Sequence, residues 1–183
     1  MSTRSHGRII IHAAPTYLLR QIAWSISRTL RYEVMPVWTR QPLVAASASA
    51  EIQWLGESGL GATLATLLAG WRQLYFEVTE AAAITNDETA YADNDQFNSA
   101  SDAVSDTWLY APSLGIKHLQ VDGFGNFMIS EHQLRAAASR YSADLIGLNR
   151  ELQNLLAAPW EEALEPLRAA RFEIIPKEID RAG

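Results

Sequence analysis

With 183 residues, 48% of them hydrophobic and 20% charged, the chain has enough apolar material for one globular domain with a sizeable core. No run reaches the roughly 18 apolar residues that cross a bilayer, and Ile9–Ile11, cut by His12 and closed by Pro15, is too short for a signal-peptide core. The absence of cysteine excludes disulfides, thiolate metal sites and cysteine nucleophiles, a net charge of −6 argues against a nucleic-acid partner, and a cytoplasmic location is expected.

In chain order, Arg8–His12 is short and β-branched and reads as a buried strand. Pro15 punctuates it and Thr16 stands where a helix cap is wanted. Leu18, Leu19, Ile22, Ala23, Ile26 and Leu30 then recur on one helical face. Tyr32–Trp38 mixes β-branched and aromatic residues, and Pro36 makes it an edge strand or a bulge. Ala50–Leu55 alternates like a half-buried strand, Leu60–Ala69 forms a second helix ended by Gly70, and Leu74–Thr79 is a further strand. Strand, helix, strand, strand, helix, strand is the ferredoxin-like order.

Residues 85–106 carry Asp87, Glu88, Asp93, Asp95, Asp102 and Asp106 with no Lys or Arg. These six acids equal the whole formal net charge, so the rest of the chain is neutral. The stretch reads as a flexible acidic loop. A calcium loop is rejected: Asp93-Asn94-Asp95 opens like one, but Phe97 takes the next ligand position and no Glu closes the set.

Beyond it, Thr107–Tyr110 and Ile116–Val121 look like strands, and Asp122–Asn126 is a glycine-rich turn into Phe127–Ile129. Ser130 and Gln133 form a capping-box pattern. Leu134, Ala138, Tyr141, Leu145, Leu148, Leu152 and Leu155 follow at spacings of four and three, so Glu131–Ala157 would make one helix about 40 Å long. Either it packs over its own sheet, or it pairs with its twin in a homodimer through Leu134–Leu155. Pro159 stops it and opens a short helix through Leu164, and Arg171–Ile175 supplies a last strand. The expected whole is α+β: one domain over 1–183, with a ferredoxin-like βαββαβ core over 7–83, the loop 85–106, then a β-hairpin and long C-terminal helix over 107–183.

Gly56-Glu57-Ser58-Gly59-Leu60-Gly61-Ala62-Thr63 is the leading chemical motif, because glycines at a strand-to-helix junction let a backbone close around an anion. As a phosphate-binding loop it lacks the lysine, whose place Ala62 holds, which argues against nucleotide hydrolysis. As a coenzyme loop, Gly59-Leu60-Gly61 resembles the Q/R-x-x-G-x-G/A turn of N-acetyltransferases, with Gly56 where that family has Gln or Arg. That resemblance implies an acyl-CoA site at Gly59, Gly61, Ala62 and Thr63, with Trp54 and Trp71 bracketing the helix as pocket walls. The alternative is a tight turn whose glycines bring helix and sheet together.

The four histidines make no metal site. His6 is near the N-terminus and His132 in a helix's first turn, while His12 and His118 fall on strands and would share acid–base work only if those strands were adjacent. No motif of a serine hydrolase, zinc protease or β-lactamase is present.

Ile11–Pro15, Trp38–Pro42, Gly59–Ala62, Gly70–Glu80 and Pro112–His118 together resemble an actinobacterial family of unknown function. Its genes often lie beside those for fatty-acid synthesis. A complete globular core with no complete catalytic set is expected to be a non-catalytic binding or regulatory module, and the resemblance points to a fatty-acid synthesis enzyme or acyl carrier protein as its partner. It supplies no catalytic residues and no resident cofactor, acyl-CoA being the cofactor of the transferase alternative only.

Overall fold

The computed structural model describes residues 4–81 and 104–172. In chain order the elements are β1 (Arg4–Pro15), α1 (Leu19–Leu30), β2 (Thr39–Arg40), β3 (Ser47–Glu57), α2 (Leu60–Ala69) and β4 (Tyr75–Ala81). After the undescribed stretch come β5 (Ser105–Ala111), β6 (Gly115–Val121), β7 (Phe127–Met128), α3 (Glu131–Arg140), α4 (Leu145–Leu155) and α5 (Ala158–Phe172).

The seven strands form one sheet in the order β2-β3-β1-β4-β5-β6-β7, and every neighbouring pair is antiparallel. The alternation of Ile9 and Ile11 on β1, Ile52 and Trp54 on β3, and Phe76 and Val78 on β4 builds a continuous apolar face, which α1 and α2 cover with Ile22, Ile26, Leu64 and Leu68. The opposite face carries Leu109 and Leu119, against which α5 places Leu164 beside Ala157. Helix α5 touches both β1 and β5, α4 packs on α5, and α3 on α4.

The class is therefore α+β as expected: a seven-stranded antiparallel sheet with five helices. The first six elements follow the expected order, but the sheet does not take the usual ferredoxin-like form. It runs on unbroken through the C-terminal hairpin, its outer strand β2 is two residues long, and helices lie on both faces. The cause is that both phases of β5 are apolar, so the sheet needs cover on each side.

Other expectations are corrected. Tyr32–Trp38 forms no strand: Pro36 has no N–H to give a ladder, Val34 and Trp38 turn onto the core, and Met35 and Val37 point outward. Thr16 makes no side-chain cap; a 3-10 turn over Thr16–Leu18 leads into α1 instead. The 40 Å helix is two helices. Asp144 accepts the Gly147 N–H at 2.9 Å and starts α4 afresh, so no straight leucine seam runs from Leu134 to Leu155. Pro159 lies in the first turn of α5, where its missing donor costs nothing, and α5 continues past Pro166 to Phe172 instead of yielding to a strand at Arg171. Asp106, assigned to the acidic loop, is in β5; residues 85–103 lie outside the described residues. Among the described residues no helix is long and apolar enough to cross a membrane.

One bulge matters for the site. Between Ile11 and Ala14, β1 holds one residue more than β3 offers, and the same extra residue appears against β4 between Ile11 and Ala13. The central strand is thus kinked at His12 relative to both neighbours, which re-aims that side chain.

Close approach also constrains the start of β1. A β-carbon on Gly7 would lie 1.9 Å from the Thr79 carbonyl oxygen and 2.6 Å from the Trp54 ring. Gly7→Ala is expected to lower the unfolding free energy by about 3 kcal/mol, read as a lower urea midpoint at unchanged slope.

Candidate functional site

The glycine turn folds as a strand-to-helix junction. Gly59 takes the left-handed conformation (φ 91°) that lets the chain turn from β3 into α2. The turn's donors face inward. Gly59 N–H donates to Glu80 Oε1 at 2.6 Å and Gly61 N–H to Glu80 Oε2 at 2.8 Å. The Ser5 hydroxyl donates to Oε1 at 2.7 Å. Glu80 is only 5% exposed, so the positive end of α2 is filled by the chain's own carboxylate. Gly61 is required here for a second reason: a β-carbon would come within 2.6 Å of both Glu80 and Trp108.

On the other face of the same strand, Glu77 is the centre of a charged network. His12 Nε2 and Arg168 Nε both lie 2.6 Å from Glu77 Oε1. Arg168 also reaches both carboxylate oxygens of Glu161, with Nη2 to Oε1 at 3.1 Å, and Glu165 at 3.3 Å. Burial by itself would push the Glu77 carboxyl up; hydrogen bonds and charge from His12 and Arg168 outweigh it and hold the group at about 2. Burial would lower Arg168, but Glu161 and Glu77 raise it. Gln41 completes the surround, donating to the His12 carbonyl at 2.8 Å and the Leu167 carbonyl at 3.3 Å. His12 itself is 1% exposed, and its Nδ1 has no hydrogen-bond partner. A histidine oriented by a carboxylate with its second nitrogen bare is the arrangement of a general base, yet neither cleft described below is lined by it.

The two histidines are not brought together. Strands β1 and β6 are separated by β4 and β5. His118 stacks on Trp108, on the α2 face, and bonds Asp106 at 2.7 Å, whereas His12 pairs with Glu77 on the α5 face. Trp54 is 3% exposed inside the core and Trp71 is half-buried against it, and neither lines the cleft beside the turn described below. Ala62 and Thr63 are exposed on α2. Among the described residues no group of three or more His, Asp or Glu is placed to hold a metal.

Open space lies next to the turn. A cleft of about 620 Å³ is lined by Leu30, Arg31 and Tyr32 at the end of α1, by Leu55–Glu57 and Leu60, and by Arg4 across from them. Of the predicted motif only Gly56–Glu57 and Leu60 border it. A smaller cleft of about 170 Å³ lies at the β6 edge, between Lys117, Gln120, Met128 and Gln133.

Sequence reasoning missed Glu80, Glu77, Arg168, Arg4 and Arg31. For Glu80 a signal existed: Phe76, Val78 and Glu80 share one phase of the strand, so an acid continues its buried side. Arg168 gave none, because its partner is 91 positions away.

These features define a layered α+β protein whose charged clusters are turned inward around one antiparallel sheet. The chain belongs to the family described as protein of unknown function (DUF3145), whose model matches residues 8–174. No curated protein and no solved structure matches it.

Replacing Glu80 by Ala strands two N–H groups and a buried hydroxyl, and should cost about 2–4 kcal/mol of stability in chemical denaturation. For Glu77, a folded-state pKa near 2 against an ordinary 4.5 means its stabilisation is complete above about pH 4.5 and is lost as pH falls toward 2. That difference corresponds to about 3 kcal/mol. The stability gap between wild type and Glu77→Gln should therefore hold steady from about pH 6 to about pH 5 and then shrink as denaturation is repeated down through about pH 4 toward about pH 3; a gap constant over the whole range would contradict the assignment.

Proposed function

We propose that this protein is a non-catalytic binding or regulatory module that acts in fatty-acid synthesis by contacting an enzyme or an acyl carrier protein. The observation that carries the first half is the carboxylate of Glu80 seated on the Gly59 and Gly61 N–H groups. An acyl-CoA transferase built on the Gly59–Thr63 turn would need those donors for the coenzyme pyrophosphate. It would have to expel a buried acid held by three hydrogen bonds of the charge-assisted kind, each worth about 1.5–3 kcal/mol. The His12–Glu77–Arg168 network lines neither of the two clefts. The fatty-acid link rests on the gene neighbourhood that the family resemblance implies. The open cleft beside α1, with Arg4 and Arg31 at its rim, gives such a module a seat for an anionic group of the partner or its cargo.

Thiol release separates the module from the transferase, and a chain without cysteine contributes no background. Incubation with acetyl-CoA or palmitoyl-CoA and a panel of amines should liberate no CoA above the protein-free blank. Sustained release that disappears in Gly61→Ala would overturn the reading.

A further inference from the structure

We propose that the outer face of α1 is a docking surface for an acidic helix of a partner protein. The proposal deepens the binding-module reading and rests on it. Helix α1 buries Ile22, Ile26 and Leu30 against the sheet. Its opposite stripe, at spacings of three and four, is Tyr17, Arg20, Trp24, Arg28 and Arg31. Tyr17 is 70% exposed and Trp24 61%. Arg28 lies over the Trp24 ring at 4.9 Å, so the stripe's centre is a stacked cation and indole open to solvent.

Three observations set this stripe apart from an ordinary solvated face. From Thr16 to Tyr32 there are three arginines and no acid, in a chain whose net charge is −6. Arg20 occupies the first turn of α1, where a cation opposes the helix dipole, and no acid in that turn offsets it. Arg31 ends the helix at φ 62°, a left-handed position that glycine usually takes. Arg20 is thus kept where the helix dipole disfavours a cation, and Arg31 where the backbone favours glycine although its charge suits the helix C-terminus; a local rule broken in this way marks a functional requirement.

The stripe's charge is also unneutralised: Arg20, Arg28 and Arg31 form no ion pair among the described residues, as is true of Arg4, Arg40, Arg72, Arg140 and Arg150, whereas Arg8, Arg135, Arg168 and Arg171 each hold an acid. Tryptophan, tyrosine and arginine are also the residues that dominate interface hot spots. The stripe from Arg20 to Arg31 spans about 16 Å, or three helical turns, which suits a partner helix carrying acids at every turn. An anionic membrane fits less well, because the apolar face of α1 is already buried in the core and cannot sink among acyl chains.

The test is fluorescence polarisation with the full chain against two acidic helical probes. One is apo acyl carrier protein; the other is a synthetic amphipathic helix with glutamate on one face. Arg20→Glu combined with Arg28→Glu should weaken binding tenfold or more, and Trp24→Ala by about tenfold. Binding should fall as salt rises, and Arg150→Glu, an exposed change on α4, should leave it within twofold. Melting temperature and circular dichroism of the α1 variants should match wild type. Binding of the peptide but not the carrier protein supports the surface and removes the fatty-acid link. Carrier binding that survives the charge reversal keeps that link and overturns the surface. Failure to bind either probe, or binding only to phosphatidylglycerol vesicles, RNA or a second copy of the chain, also overturns it.

Discussion

Strand β4 carries one carboxylate into each helical layer, Glu80 buried and Glu77 partly so, and the packing of both layers is organised around keeping those two charges satisfied. A buried acid without partners costs several kcal/mol, so each fixes the geometry of whatever serves it. Glu80 determines where α2 begins and ties it to β1 through Ser5. Glu77 determines where α5 lies, because Arg168 can reach it only with that helix laid across β1. The kink at His12 belongs to the same arrangement, since the re-aimed ring meets the same carboxylate oxygen as Arg168.

Charge is consequently sorted by layer. Around the α5 face, arginines and acids interlock: Arg8 and Arg171 share Glu51, and Arg168 gathers three carboxylates. On α1, Arg20, Arg28 and Arg31 form no ion pair among the described residues. A protein of net negative charge therefore presents one cationic, aromatic helix outward while closing its remaining chemistry inward.

Much of the fold could be read from residue patterns, and the failures have physical causes. Apart from the strand expected over Tyr32–Trp38, the strand–helix alternation up to Thr79 was legible because Ile9/Ile11 and Phe76/Val78 have the two-residue period of a covered face. The break between α3 and α4 was hidden because Tyr141 and Leu145 are four apart, so the turn between them preserves the helical phase of the leucines. Pro159 looked like a stop and is a start, a distinction that depends on which side of it the chain packs. The site was half visible. The glycines marked the junction correctly, but nothing adjacent to them announced that the anion they cradle comes from within, 19 to 21 positions along the chain.

That internal anion has a kinetic meaning. A carboxylate fixed on a rigid strand and already oriented toward its donors competes at an effective concentration that no dissolved phosphate or coenzyme approaches. The helix N-terminus behaves as a site permanently saturated by a tethered ligand. Any lineage of this fold that came to bind a phosphate at this junction would first have to lose Glu80. The identity of that one residue is therefore a simple marker for sorting relatives into those with a sealed junction and those with an open one.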